Sequence, residues 1–218
     1  MTKARCTPLW QPIPCPLSDI EGLESWLGDM AAQGLVPVTI GQNFARFRCS
    51  QPKAVRYRLN AKPAPETFLE SAPGTPDGEE RALAQECGWY YVTAVGDFFL
   101  YACEDSDAPE LNTDPQVQAL SLRYAKRQVF APAGLLAYWL VTFWVRHAMG
   151  VWHTPVIDFV ELGWLSFCYL GLLAAALVSV VHNTVLLYRF SARLTRGAEP
   201  ERHKNWRKGA GRYLVGRV

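Results

Sequence analysis

The chain has 218 residues, a formal net charge of +2 and a mean hydropathy close to zero, enough for one or two domains. That balance averages unlike parts: residues 1–128 hold 12 Lys/Arg and 16 Asp/Glu, residues 189–218 hold 9 and 2, and between them stand only Arg146, Asp158 and Glu161. An acidic part, an almost uncharged middle and a basic tail argue against a uniformly soluble chain and describe a membrane-anchored one.

No secretory signal is expected at the start, because "MTKARCTPLWQPIPCP" has prolines where an apolar core belongs. "LWQPIPC" reads as a strand that its prolines confine to a sheet edge. "SDIEGLESWLGDMAAQG" follows as a helix. Ser18 or Asp19 caps it, Glu21 and Glu24 sit in its early turns, and Leu23, Trp26, Leu27 and Met30 form an apolar stripe. Gly34 stands where a left-handed C-terminal cap needs glycine. Two strands come next, Leu35–Ile40 and Phe44–Cys49, around a turn through "GQN".

The pattern then repeats. "AVRYRLN" predicts a strand, "DGEERALAQECG" a helix from Asp77 to a terminating Gly88, and Trp89–Val95 and Phe98–Cys103 a hairpin turning through "GD". The stretches Gly34–Cys49 and Gly88–Cys103 have equal length, lie 54 residues apart and share Gly34/Gly88, Val38/Val92, Thr39/Thr93, Phe44/Phe98 and Cys49/Cys103. Each unit is therefore βαββ, and two units would share a core that neither completes alone. The expected fold class is α+β: tandem βαββ repeats forming one antiparallel sheet with both helices on one face, followed by a two-helix transmembrane hairpin. Trp26, Leu27, Phe44, Val92 and Phe98 are expected inside.

"ESWLGDMAAQGL", "FARFRCSQPKAVRYRLN", "ECGWYYVTAVGDFFLY" and "ELNTDPQVQAL", in this order, resemble the bacterial DUF2812 family over about residues 9–122. That family has no known function, occurs beside PadR-type transcription regulators and often carries C-terminal membrane spans. The resemblance implies a regulatory or envelope setting and supplies no catalytic residues.

Arginines alternate along two of the strands: Arg46 and Arg48 on one, Arg56 and Arg58 on the other. Side chains alternate faces along a strand, so each pair shares a side. If the two strands were neighbours, four guanidinium groups would gather to bind an anionic ligand or an acidic partner. The alternative is a solvated face paired with local carboxylates.

"NTDPQVQALSLRYAKRQ" predicts a linker helix with Pro115 in its first turn. Two uncharged segments follow, Gln128–Val145 and Leu162–Tyr188, with lengths suited to crossing a bilayer. Lys126 and Arg127 before the first, and Arg189, Arg193 and Arg196 after the second, place both termini in the cytoplasm. The domain division is thus 1–111, 112–128, 129–190 and 191–218, in a multi-pass protein of the bacterial inner membrane. Gly171, Ala175 and Ser179 line one helix face, expected to pack against the first span or a second copy. The basic tail, with Arg202, Lys204, Arg207, Lys208 and Arg212 interleaved with Trp206 and Tyr213, is expected on the inner leaflet.

Catalytic chemistry finds no foothold. GxSxG, Walker, GxGxxG and HExxH patterns are missing, and all four histidines lie at position 147 or beyond. His147, His153, Asp158 and Glu161 match no metal-ligand spacing; His182 and Asn183 suggest an interhelical hydrogen bond. The six cysteines include no CxxC, a reducing compartment disfavours disulfides, and most of them read as small apolar core residues. No catalytic residue, metal or cofactor is expected; lipid, a protein partner or a second copy is, and nucleic acid is not. The leading expectation is a non-enzymatic membrane-anchored protein whose cytoplasmic domain binds a ligand or partner. An accessory subunit of a larger membrane complex, such as a transporter, and a carboxylate-dependent membrane enzyme are the alternatives.

Overall fold

The computed structural model describes residues 9–63, 73–111, 122, 163–197 and 204–207, with single positions at 134, 138, 141, 145 and 149. The chain divides into two compact units, Met1–Ala125 with Arg189–Val218, and Lys126–Tyr188.

In the first unit the elements follow the repeat: β1 (Leu9–Pro12), α1 (Ile20–Ala32), β2 (Leu35–Ile40), β3 (Phe44–Cys49), then β4 (Arg56–Ala61), α2 (Gly78–Glu86), β5 (Tyr90–Val95) and β6 (Phe98–Cys103). Asp19 caps α1 by accepting from the Gly22 N–H, and Asp77 caps α2 by accepting from the Gly78 N–H. Acidic residues occupy both first turns, Glu21 in α1 and Glu79 and Glu80 in α2, where the helix dipole favours them.

The strands form two three-stranded antiparallel sheets, β1-β3-β2 and β4-β6-β5, in place of the single sheet expected. β2 and β5 run close together without pairing. Both carry a register irregularity, between Pro37 and Thr39 and between Tyr91 and Thr93. These positions are equivalent in the two repeats, so the shared Val38-Thr39 and Val92-Thr93 dipeptides fall at the same irregularity in each hairpin. An irregular strand, and in Pro37 a residue without an N–H, interrupt the row of donors that a β2–β5 ladder would need.

The repeats complete each other through α1, which packs on β2 of its own sheet and on β4 of the other; α2 packs on β5. Leu23, Trp26 and Leu27 are buried, and the Trp26 ring meets Phe47 edge-on with centroids 5.5 Å apart. Ala84, Trp89, Phe99, Tyr101 and Cys103 form a second apolar cluster. Phe98 is buried as expected, but Val92 is only half-buried. Phe44 is 53% exposed, because strand alternation turns it away from buried Ala45 and Phe47.

The thiols of Cys15, Cys87 and Cys103 are free, with Cys15 and Cys103 buried. Burial pushes the Cys15 thiol up to about 12, the inert behaviour of a small core residue. Cys49 is disulfide-bonded, a departure from the expectation that a reducing compartment disfavours disulfides.

The last element is α3 (Gly163–Thr195), whose final turns from Arg189 belong to the first unit. Its stretch Ala174–Thr195 is long and apolar enough to cross a membrane. Of the expected first span, Gly134, Tyr138, Val141 and Val145 are helical; the rest, the linker helix from 112 and the loop with His147, His153, Asp158 and Glu161 lie outside the described residues. A two-helix hairpin is therefore not established.

Both repeats turn out of their first helix at a glycine of positive φ, Gly34 at 81° and Gly88 at 82°. A Cβ at Gly34 would stand 2.6 Å from the Ser50 carbonyl oxygen, whereas one at Gly88 meets nothing nearer than 3.6 Å. Gly88→Ala is expected to cost about 1–2 kcal/mol, the left-handed backbone penalty, and Gly34→Ala clearly more, because a backbone carbonyl must also move. Denaturant unfolding of the two variants checks the order.

Candidate functional site

The arginines of β3 and β4 stand in different sheets, so the four guanidinium groups do not gather on one face. β4 holds its pair for structural use. Arg56 donates from Nη2 to the Asp105 carbonyl at 2.8 Å and the Ala108 carbonyl at 2.7 Å, and its guanidinium lies 5.3 Å from the Trp89 ring centroid. Trp89 Nε1 donates to the Pro109 carbonyl at 2.8 Å. Arg58 is buried and meets both Glu110 oxygens, from Nε at 2.9 Å and Nη2 at 3.1 Å, while Nη1 donates to Glu24 at 3.0 Å. The β4 arginines thus clamp the segment after β6 and α1 onto the second sheet. The alternative of carboxylate pairing describes Arg58, but not as a solvated face: Arg58 is buried and its partners Glu24 and Glu110 come from distant parts of the sequence.

Glu24 is the most perturbed carboxylate described. Burial raises it from 4.5 to about 7, against the opposing pull of Arg58 and of the Leu59 N–H, which donates to it at 2.8 Å. Enclosed in the core, it faces Arg58 and a backbone amide, with Glu21 as the nearest like charge. This is a structural position. Its signal in the sequence, one glutamate inside an apolar helix stripe, reads equally well as an ordinary acid of the early turns.

Arg46 and Arg48 differ. Both are exposed on β3, and among the described residues neither makes an ion pair. Cross-strand register sets Trp10 and Thr39 opposite Arg46, Pro12 opposite Phe44 and Val36 opposite Arg48, and residues directly opposite share a face. Trp10, 60% exposed, and Phe44 therefore stand with the two arginines on the open side of the first sheet. The repeat-equivalent residues of β6 are Phe98, Leu100 and Ala102, of which Phe98 and Leu100 are buried. The first repeat has arginines where the second has core. Comparing the two copies would have singled out Arg46 and Arg48; alternation alone also pointed to Arg56 and Arg58.

The remaining expected positions lie elsewhere. Gly171, Ala175 and Ser179 on α3 are all exposed among the described residues, and most of the first apolar segment expected to pack there lies outside them. Asn183 donates to Ser179 Oγ at 3.4 Å within the helix. Arg202, Lys208 and Arg212 lie outside the described residues. Lys204 contacts Asp19 of α1 at 2.7 Å instead of facing outward, and the exposed Arg207 stacks beside Trp206 at 5.3 Å. Among the described residues no group of His, Cys, Asp and Glu is placed to hold a metal ion.

Because folding raises Glu24 above its ordinary value, the folded chain holds the extra proton between about 4.5 and about 7 while the unfolded chain has lost it. Its contribution to stability is therefore fully present below that window and is lost as pH rises through it. The thermal midpoint of the unmodified chain, minus that of Glu24→Gln, should fall across this range by several degrees. A flat difference would place Glu24 in a solvated setting.

No curated protein and no solved structure matches the chain. One family model does, over residues 19–133, more than half of the 218 residues, and it reaches from the α1 cap into the first apolar segment. By that match the chain belongs to the DUF2812 family, proteins of unknown function.

Proposed function

We propose that this is a non-enzymatic, membrane-anchored protein whose βαββ pair faces the cytoplasm and binds an anionic ligand or an acidic protein partner, in a regulatory or envelope setting. The observation that carries the binding half is the open face of Trp10, Phe44, Arg46 and Arg48, the place where the first repeat departs from the second. Exposed aromatics combined with guanidinium groups that make no ion pair among the described residues favour partners that offer carboxylate or phosphate oxygens beside an apolar surface. Every other strand arginine described is already engaged within the chain.

Anchoring is supported by the surface of α3. Leu177, Val178, Val181, Val185 and Tyr188 are all exposed, and only 17% of the apolar window is buried. A core helix of a soluble protein would hide these side chains, whereas a helix apolar on all sides suits lipid. In this reading the first apolar segment forms the other half of a hairpin in the bacterial inner membrane, with both termini inside. The exposed Gly171, Ala175 and Ser179 also favour a second reading, in which a helix of a larger membrane complex or of another copy packs there.

Full-length protein purified in mild detergent should retain a partner or small molecule detectable by mass spectrometry. The Arg46→Glu/Arg48→Glu variant should fold normally and lose at least tenfold of that retention. Retention unchanged by the double substitution would remove this face from the proposal. Release of the chain from membranes by alkaline carbonate would remove the anchor.

A further inference from the structure

Glu21, Ser25 and Asp29 follow one another at four-residue steps along α1 and so form one stripe, with Asp19 at its capped end. Each of these four residues takes its contact from the C-terminal part of the chain. Arg193 pairs bidentately with Glu21, at 2.7 and 3.1 Å. The Lys204 N–H donates to Ser25 Oγ at 2.8 Å, the Lys204 ammonium to Asp19 at 2.7 Å, and Trp206 Nε1 to Asp29 at 2.8 Å. Arg193 belongs to α3 and is fixed with it. Segment 204–207 lies beyond Gly197, which follows the helix at a φ of 76° with open space around it.

Lys204 and Trp206 are also the residues whose basic and aromatic character suits an anionic membrane surface. Carboxylates and lipid phosphates use the same chemistry, charge-assisted hydrogen bonds from N–H donors. The Trp206 indole has a single N–H donor and cannot serve both at once, and Lys204 reaches Asp19 only while the tail is seated on α1. We propose that segment 204–207 is an electrostatic latch on the acidic stripe of α1, and that anionic lipid headgroups compete with α1 for it. Seated, the tail covers Asp19, Ser25 and Asp29; drawn to the membrane, it uncovers them. The lipid arm rests on the membrane reading above, and the latch itself does not.

A photo-crosslinking amino acid in place of the exposed Asn205 tests both arms in the full-length chain. In detergent, and in bilayer discs of phosphatidylcholine, mass spectrometry should find it joined to the α1 peptide. In discs rich in phosphatidylglycerol that product should fall several-fold and lipid adducts should replace it. Asp19→Asn/Asp29→Asn should lower the α1 product in phosphatidylcholine discs as well. Absence of the α1 product in both detergent and phosphatidylcholine discs would overturn the latch. Equal yields in the two lipid compositions would overturn the competition. A chain that fails to enter the discs would overturn the membrane reading and the competition together, while the detergent experiment still judges the latch.

Discussion

The contact between Glu24 and Arg58 joins the first repeat to the second, and much of the first unit depends on it. Glu24 comes from the helix of the first repeat and Arg58 from the edge strand of the second. Both are almost completely buried, with 4% and 8% of their side chains exposed. Burying two charges is costly, and such a pair persists because removing one partner strands the other. Here the arrangement is fully engaged: Glu24 receives Arg58 on one oxygen and the Leu59 N–H on the other, and Arg58 turns its remaining donors to Glu110. Among the described strands β4 pairs only with β6, so its other edge faces α1. The Glu24 bond to Leu59 engages a backbone donor on that edge, which would otherwise invite another strand.

From this contact the other features follow in order. The second sheet acquires α1 as a cover, so Leu59 and Leu100, opposite each other in register, lie in core. Arg58 and Arg56 draw down residues 104–110, which closes the cluster around Trp89. Among the described residues no comparable cover lies over Phe44, Arg46 and Arg48 in the first sheet, and that face is open. The asymmetry between the copies, core in one and an arginine–aromatic surface in the other, is the basis of the proposed binding role. The adjoining face of α1 is also used, since its acidic stripe seats Arg193 and the tail.

The elements themselves were legible because each is set by local chemistry. Asp19 and Asp77 accept from nearby N–H groups, Gly34 and Gly88 take up positive φ, and the hairpins turn at the glycines predicted. The duplication made each reading check the other. What lay beyond local pattern was the pairing of distant parts. Alternation shows that Arg46 and Arg48 share a face, and that Arg56 and Arg58 do, but not that β3 and β4 belong to different sheets. Phe44 and Phe98 occupy the same repeat position and both read as core; the environment of the two sheets, not the residue, separates them. The basic tail matched lipid chemistry, and its carboxylate partners on α1 satisfy the same donors from more than 170 positions away. A glutamate inside an apolar stripe carried no sign that its partner was Arg58.

A double-mutant cycle across Glu24 and Arg58, with Glu24→Gln, Arg58→Met and the pair compared by denaturant unfolding above pH 8, addresses the junction directly. If the two repeats are joined through this contact, the pair should be coupled by on the order of 1–3 kcal/mol, the range for residues in one buried network. Additivity within about 0.5 kcal/mol would contradict the account, since it would mean that each charge is accommodated by its own surroundings and that the repeats are held together by apolar packing alone.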